Sequence, residues 1–340
     1  VPPPAQVLRV AQRHAAEQAA LAEQAVGVTL SITNRARNPE AWRDAVARIG
    51  PNLLTLQVAA AGAADGYLDE ILDAQGESLA AEATVIPDAW MDFTDGGGSW
   101  LLNLVHAVNA IPKQGLSSEA LNSRVRYLSS SIVLSGMQDT DRSAVQAAMI
   151  SRPAVQWYVR MLTGKTCARC AILAGKRSRS MVAFKRHRNC DCRNIPAGEN
   201  SGNWATNPKT FFRSLSTQEQ DKVFGAGNAR AIRHSGGSSK TMNQVVNAEQ
   251  GVKTVTMFGR EIQVTTVGTT RRATFGGYEV LEDGTLRRRP DSELEKLRGN
   301  RLSTAKAPRL LPDEIYRLAE EFGWDRAETL RQLRRFAYLL

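Results

Sequence analysis

All four cysteines of the 340-residue chain fall between residues 167 and 192, as CARC at Cys167 to Cys170 and HRNCDC at His187 to Cys192. A segment so dense in thiols, and so poor in apolar periodicity, has few ways to hold a shape. A metal is the strongest of them. Zinc takes four soft or borderline ligands at tetrahedral corners. A CxxC turn sets two thiolates on one side, and after sixteen intervening residues His187 with Cys190 or Cys192 supplies the rest. Five residues, Cys167, Cys170, His187, Cys190 and Cys192, compete for four places, so both a His-plus-three-Cys site and an all-Cys site stay open. Bound Zn2+ would turn binding energy into folding energy for an irregular segment. Three other readings compete. Two disulfides would need an oxidising compartment, and the first residues, VPPPAQVLRVAQRH, lack the basic start and apolar core of a secretory signal. Four reduced structural thiols would make the clustering accidental. A redox CxxC would sit beside a βαβ pattern, which is absent.

The same segment is basic. Lys165, Arg169, Lys176, Arg177, Arg179, Lys185, Arg186, Arg188 and Arg193 are candidate phosphate contacts, each adding affinity that is independent of base sequence. Phe184 is the one aromatic among them, which argues against base stacking and for duplex backbone or an acidic protein surface. The net charge of +10 follows this division: residues 1–150 carry 10 basic and 16 acidic side chains, and residues 151–340 carry 34 and 18. No run of apolar residues is long enough to span a membrane.

The expected fold is α+β and mostly α: a helical domain over 1–150, then an α+β domain over 151–340 holding the Cys/His cluster, a β-hairpin and a C-terminal helix. In the first half an Ala-rich helix runs from Gln6 to Val26, with Val7, Val10, Leu21 and Ala25 on one face. Asn38-Pro39-Glu40 starts another with a cap, a first-turn proline and an acid at the dipole. Gly50-Pro51 is expected to break that helix, and a third runs from Asn52 to Ala74. Asp95 to Gly98 reads as a loop. Leu101 to Val108, Leu121 to Ile132 and Asp141 to Ile150 read as three further helices, and one more is expected from Pro153 to Gly164. In the second half Ser216 and Glu219 form a capping box. Ala229 to Arg233 and Met242 to Ala248 are short helices. Thr254 to Phe258 and Glu261 to Val267 alternate as strands around Gly259-Arg260. Arg287 to Arg289 precede a short polar helix, and Asp325 caps the last one. His14 and His106 stand alone and read as packed or surface residues.

Gly164-Lys165-Thr166 is not a phosphate-binding loop, because Val159 stands where the first glycine belongs. Gly225-Ala226-Gly227 follows a helix rather than a strand, and there is no HExxH or GxSxG. The strings CARCAILAGK and HRNCDCRNIP, however, resemble the signature of MuF-like minor capsid proteins of tailed bacteriophages, in the form found in phages of actinobacteria. FGAGNARAIRHSG, NQVVNAEQG, VTTVGTTRRA, PDEIYRLAEE and LRRFAYLL resemble the same family. The chain departs in having Arg188 after the histidine, where proline is frequent, and Val267 where an acid is common.

The resemblance implies a structural head-morphogenesis protein of the virion, at the portal vertex or capsid interior, present in the host cytoplasm during assembly. Its partners would be the portal protein, the major capsid protein and packaged double-stranded DNA, without a membrane. Carried over residue by residue, Cys167, Cys170, His187, Cys190 and Cys192 match the family's Cys/His core. On this reading the protein is not an enzyme. The rivals are a metal-supported DNA nuclease or capsid maturation protease acting in head assembly, and a cellular zinc-dependent DNA-binding regulator.

Overall fold

The computed structural model describes residues 2–77, 80–94, 98–109, 111, 116–162, 166–184, 190, 192–199, 201–202, 204–249, 252–257, 260–265, 278–280, 286–288, 309–336 and 338–339. The fold is α+β and mostly helical. The chain forms two compact units, one of residues 1–166 and 174–206, the other of residues 167–173 and 207–340.

Among the described residues the first unit is built on the α-helices α1 (Ala5–Leu30), α2 (Pro39–Gly62), α3 (Ala64–Asp73), α4 (Trp100–Asn109) and α5 (Ser118–Ile150). α1 buries Val7, Ala11, His14, Gln18, Ala22, Ala25 and Thr29, steps of three and four that define one helical face. Val10 and Leu21 sit half-buried beside that face rather than on it. Asn38 caps α2 as the sequence indicates, its Oδ1 accepting from the N–H groups of Glu40 (2.9 Å) and Ala41 (3.2 Å). The expected break at Gly50-Pro51 does not occur. Pro51 and Ala47, whose carbonyl loses its donor, both lie on the exposed face, where solvent can take the donor's place. Meanwhile Trp42, Val46, Leu53 and Ala60 hold the other face in the core. The interruption falls instead at Gly62 and Ala63, before α3.

The two helices expected across 121–150 are one 33-residue helix, α5. Its middle buries Gln138, Asp139, Asp141 and Arg142, residues whose polarity reads as a surface break. Gly136 of α5 lies directly under the indole of Trp100, which is 2 % exposed and donates to the carbonyl of Ile132 (3.3 Å).

Beyond α5 the helix expected from Pro153 is a strand, β1 (Trp157–Met161). Tyr158 to Met161 are all buried, so no alternation marks the strand, and only its aromatic and β-branched residues distinguish it from a helix. β1 is the centre of an antiparallel sheet, flanked by β2 (Arg177–Arg179) and β3 (Arg193–Ala197). Val159 pairs with Arg177 on one side and Ile195 on the other.

The second unit contains α6 (Ala168–Leu173), α7 (Pro208–Ser214), α8 (Thr217–Phe224), α9 (Ala226–His234) and α10 (Ser239–Ala248). A three-stranded antiparallel sheet follows, β5 (Arg260–Thr265) between β4 (Val252–Met257) and β8 (Arg309–Leu310). β6 (Tyr278–Val280) pairs with β7 (Leu286–Arg288), and α11 (Pro312–Glu321) and α12 (Arg326–Arg335) close the chain. The expected hairpin is present one residue earlier: Met257 pairs with Arg260, so Arg260 belongs to the second strand.

The Ser216/Glu219 capping box forms, and Asp325 accepts from the N–H of Glu328 (2.7 Å). The core gathers Phe212, Phe224, Ile232, Met242, Val245, Ile315, Leu333 and Tyr338. Residues 95–97 of the expected loop and the polar helix after Arg289 lie outside the described residues. No described helix is long and apolar enough to cross a membrane.

Candidate metal centre

The chain reaches the second cysteine pair just before β3, and buried polar groups anchor it there. Cys190 is 2 % exposed, and a guanidinium nitrogen of Arg160, from β1, stands 3.7 Å from its Sγ. The same guanidinium lies over the ring of Phe184, 3.7 Å from its centroid. Cys192 is buried, and its carbonyl accepts from Nε of Arg142 on α5 (3.0 Å). Arg142 also donates to Asp139 (3.2 Å). Burial above all, with Arg193 nearby, holds its pKa below the ordinary arginine value, and the negative charge available at Cys190 opposes that shift. Guanidinium groups beside a thiol favour the thiolate, the form that binds metal.

Residues 193 and 194 extend this lattice. Arg193 is 3 % exposed and its Nε stands 2.9 Å from a carboxylate oxygen of Asp141. The other oxygen of Asp141 is 2.7 Å from Nε2 of His14. His14 stacks on Tyr67, centroid to centroid 4.0 Å, and the Tyr67 hydroxyl donates to the carbonyl of Asn194 (2.7 Å). Thus His14 is a packed residue, as its isolation in the sequence indicates, yet it belongs to a buried charge network that no local motif reveals. Its carboxylate partner, Asp141, lies 127 residues away along the chain.

The first cysteine pair opens α6. Sγ of Cys167 accepts from the N–H of Cys170 (3.4 Å), the turn that a CxxC makes. Cys167 is partly exposed and Cys170 buried, and none of the four cysteines is in a disulfide. The sulfurs of Cys190 and Cys192 lie within 4.8 Å of each other. A tetrahedral zinc with Zn–S bonds near 2.3 Å holds its sulfurs about 3.8 Å apart, so this pair suits two corners of such a site. Cys167 and Cys170 belong to the other unit, and His187 lies outside the described residues.

The basic candidates divide. Lys176 and Arg179 are exposed, and Arg169 and Arg177 half-buried. Arg177 and Arg179 hold their guanidinium groups 5.2 and 5.4 Å from the ring of Trp157. Arg193 is a correction: buried against Asp141, it serves the interior and offers nothing to a phosphate. Lys165, Lys185, Arg186 and Arg188 lie outside the described residues. Sequence reasoning missed Arg142 and Arg160: Arg160 is a basic residue set among apolar ones, whereas Arg142 sits in the polar run from Gln138 and gives no local signal.

A family model described as VG15 protein matches residues 7–217, which takes in α1 through α7 and all four cysteines. No curated protein matches the chain, and no solved structure does.

Proposed function

This chain belongs to the VG15 protein family and is a phage protein, and from that premise we propose that it is a minor capsid protein of head morphogenesis, working by binding and not by turnover. The observation that carries this reading is the family match over residues 7–217, which takes in CARC and HRNCDC, the strings in which the chain resembles MuF-like minor capsid proteins. In this reading the site is structural. Four of Cys167, Cys170, His187, Cys190 and Cys192 hold zinc. The ion fixes an irregular stretch of chain and performs no chemistry.

The helical N-terminal part docks on the portal protein or the major capsid protein, at the portal vertex or inside the capsid. The exposed charges of Lys176 and Arg179 meet packaged double-stranded DNA without base specificity. The protein passes through the host cytoplasm during assembly.

The test is fractionation of infected cells on a density gradient, with the chain followed by mass spectrometry. It is expected with portal particles or filled heads, and its confinement to the free-protein fraction would overturn the reading. Purified protein should carry about one zinc per chain by elemental analysis, a stoichiometry lost in Cys190→Ser. Nicking of plasmid with Mg2+ or Mn2+ would favour a nuclease instead, and a reactive thiol in the zinc-loaded protein would favour a protease.

A further inference from the structure

The second unit carries an open cleft of about 390 Å3 lined by α9, α11 and the start of α12. Arg230 and His234 lie one turn apart on α9, Tyr316 and Glu320 on α11, Trp324 in the turn that follows, and Arg326 at the head of α12. Tyr316 is buried and forms the floor. The guanidinium of Arg230 stands over its ring, 4.2 Å from the centroid, and its hydroxyl is 3.1 Å from Nδ1 of His234.

Arg230, His234 and Arg326 are all exposed at the rim, against the single acid Glu320. Among the described residues neither Arg230 nor Arg326 is in an ion pair, although acids are plentiful on α11 and α12. Partial burial, then Arg230, Arg326 and Arg233, holds the His234 pKa below the ordinary histidine range, as positive potential at the cleft requires.

Two guanidinium groups in no ion pair among the described residues and an imidazole, converging on one opening, match an anion with several oxygens. The indole of Trp324, half-buried and backed by Phe322 at 6.3 Å, offers a flat apolar wall beside them. The volume is in the range of small-ligand sites.

We propose that this cleft binds a nucleotide unit, its phosphate between Arg230 and Arg326 with His234 as a third donor, and its base against Trp324. A carboxylate would use the cations but leave the indole idle, and an apolar ligand would leave the cations without a partner. The unit comes either from a nucleic-acid chain or from a free nucleotide, and the chemistry of recognition is the same. This proposal stands apart from the head-morphogenesis reading, and either can fail without the other.

The chain has four histidines, so the imidazole resonance of His234 is assigned by its loss in His234→Gln and followed in the full-length protein. The probes are 2′-deoxyadenosine 5′-monophosphate, a 5′-phosphorylated oligothymidylate and inorganic phosphate. Both nucleotide probes are expected to shift the resonance and to raise the His234 pKa, since a bound anion offsets Arg230, Arg233 and Arg326 while Tyr316 and Glu320 stay in place.

Arg230→Ala with Arg326→Ala should weaken binding at least tenfold. Trp324→Ala should weaken the nucleotides and leave inorganic phosphate unchanged. Tighter binding of the oligonucleotide would identify a chain as the source, and tighter binding of the monophosphate a free nucleotide. Circular dichroism confirms that each variant is folded. The proposal is overturned by the absence of any shift up to about 10 mM, by equal affinity in the double arginine variant, or by inorganic phosphate binding as tightly as the nucleotides.

Discussion

Replacing Asp141 by asparagine removes one negative charge from the interior of the first unit and little else. Asp141 is 1 % exposed, 2.7 Å from His14 and 2.9 Å from Arg193. Burial works to raise its pKa, but His14 and Arg193 outweigh burial and hold the carboxyl below the ordinary carboxylate value. The amide keeps the volume and an acceptor for His14, while Arg193, 3 % exposed, loses the carboxylate it faces. Removing one partner of a buried pair costs about 3–5 kcal/mol, and the retained hydrogen bond points to the lower end, about 3 kcal/mol. For a folding unit of roughly 200 residues that is a fall in Tm of about 6–12 °C at pH 7.

The pH dependence has a definite sign. A carboxyl with a depressed folded pKa contributes stability that is present above its unfolded value, near 4, and lost as the pH falls through the folded one. The gap between wild type and Asp141→Asn should therefore be full at pH 7 and close on acidification below about pH 4. Thermal melts followed by far-ultraviolet circular dichroism read both effects. A variant within about 2 °C of wild type at pH 7, or a gap that widens with acid, would refute the reasoning.

Two further substitutions follow from the packing. A Cβ at Gly136 would meet Nε1 of Trp100 and lie 2.7 and 2.8 Å from Cε2 and Cδ1, so Gly136→Ala should lose stability: overpacking of about 1–3 kcal/mol exceeds a helix gain of about 1. Gly27, exposed on α1 with nothing within 4 Å, should gain up to about 1 kcal/mol as alanine; melts that both rise would refute the close packing at Trp100. Glu249 accepts a hydrogen bond from Asn228, but burial first, then Asp313 and Cys167, pushes its carboxyl up to about 7. A raised carboxyl gives stability that is lost as pH climbs through that value. Glu249→Gln should therefore leave Tm near wild type at pH 5 and raise it at pH 8, and an equal difference at both would count against this.

How far the sequence carried depends on the range of the forces involved. Caps and turns are local, so Asn38, Ser216 with Glu219 and Asp325 were legible, and so was the hairpin at 252–265, its strand ends displaced by one or two residues. Pro51 misled because the tolerance of a proline depends on which face it occupies, and that is a tertiary property. β1 misled because a strand buried throughout has no alternation. Within α5, the polar run Gln138 to Arg142 looked like a boundary, yet its partners are His14, Cys192 and Arg193, brought in from elsewhere in the chain. The cysteine spacing announced a thiol group and rightly paired Cys190 with Cys192, but it could not tell that Cys167 and Cys170 fall in one unit and Cys190 and Cys192 in the other. Arg193 was counted with the phosphate-facing bases because charge in a sequence carries no direction.

The lattice around residues 190–194 also bears on what a metal does there. Apolar burial is non-directional, and β3, buried at every residue, has no inside–outside alternation to set its register. Here Arg160 meets the Cys190 sulfur, Arg142 the Cys192 carbonyl, Asp141 the Arg193 guanidinium and Tyr67 the Asn194 carbonyl. Each of these donors or acceptors is itself fixed on a helix or strand of the first unit, so the register of β3 is set by the protein whether or not a metal is bound. The sequence alone leaned the other way, to an irregular segment with little core of its own that zinc would tie down. The two views part on chelation. If zinc alone orders the segment, removing it should abolish amide protection along β3, as in small metal-dependent domains. If the buried arginines set the register, the metal-free protein keeps its far-ultraviolet spectrum and its slow-exchanging β3 amides. The cysteine thiols then become reactive while the strand stays in place. Hydrogen exchange by mass spectrometry on zinc-loaded and chelated protein separates the outcomes, and loss of β3 protection on chelation would end the argument that charge, before metal, positions the thiols.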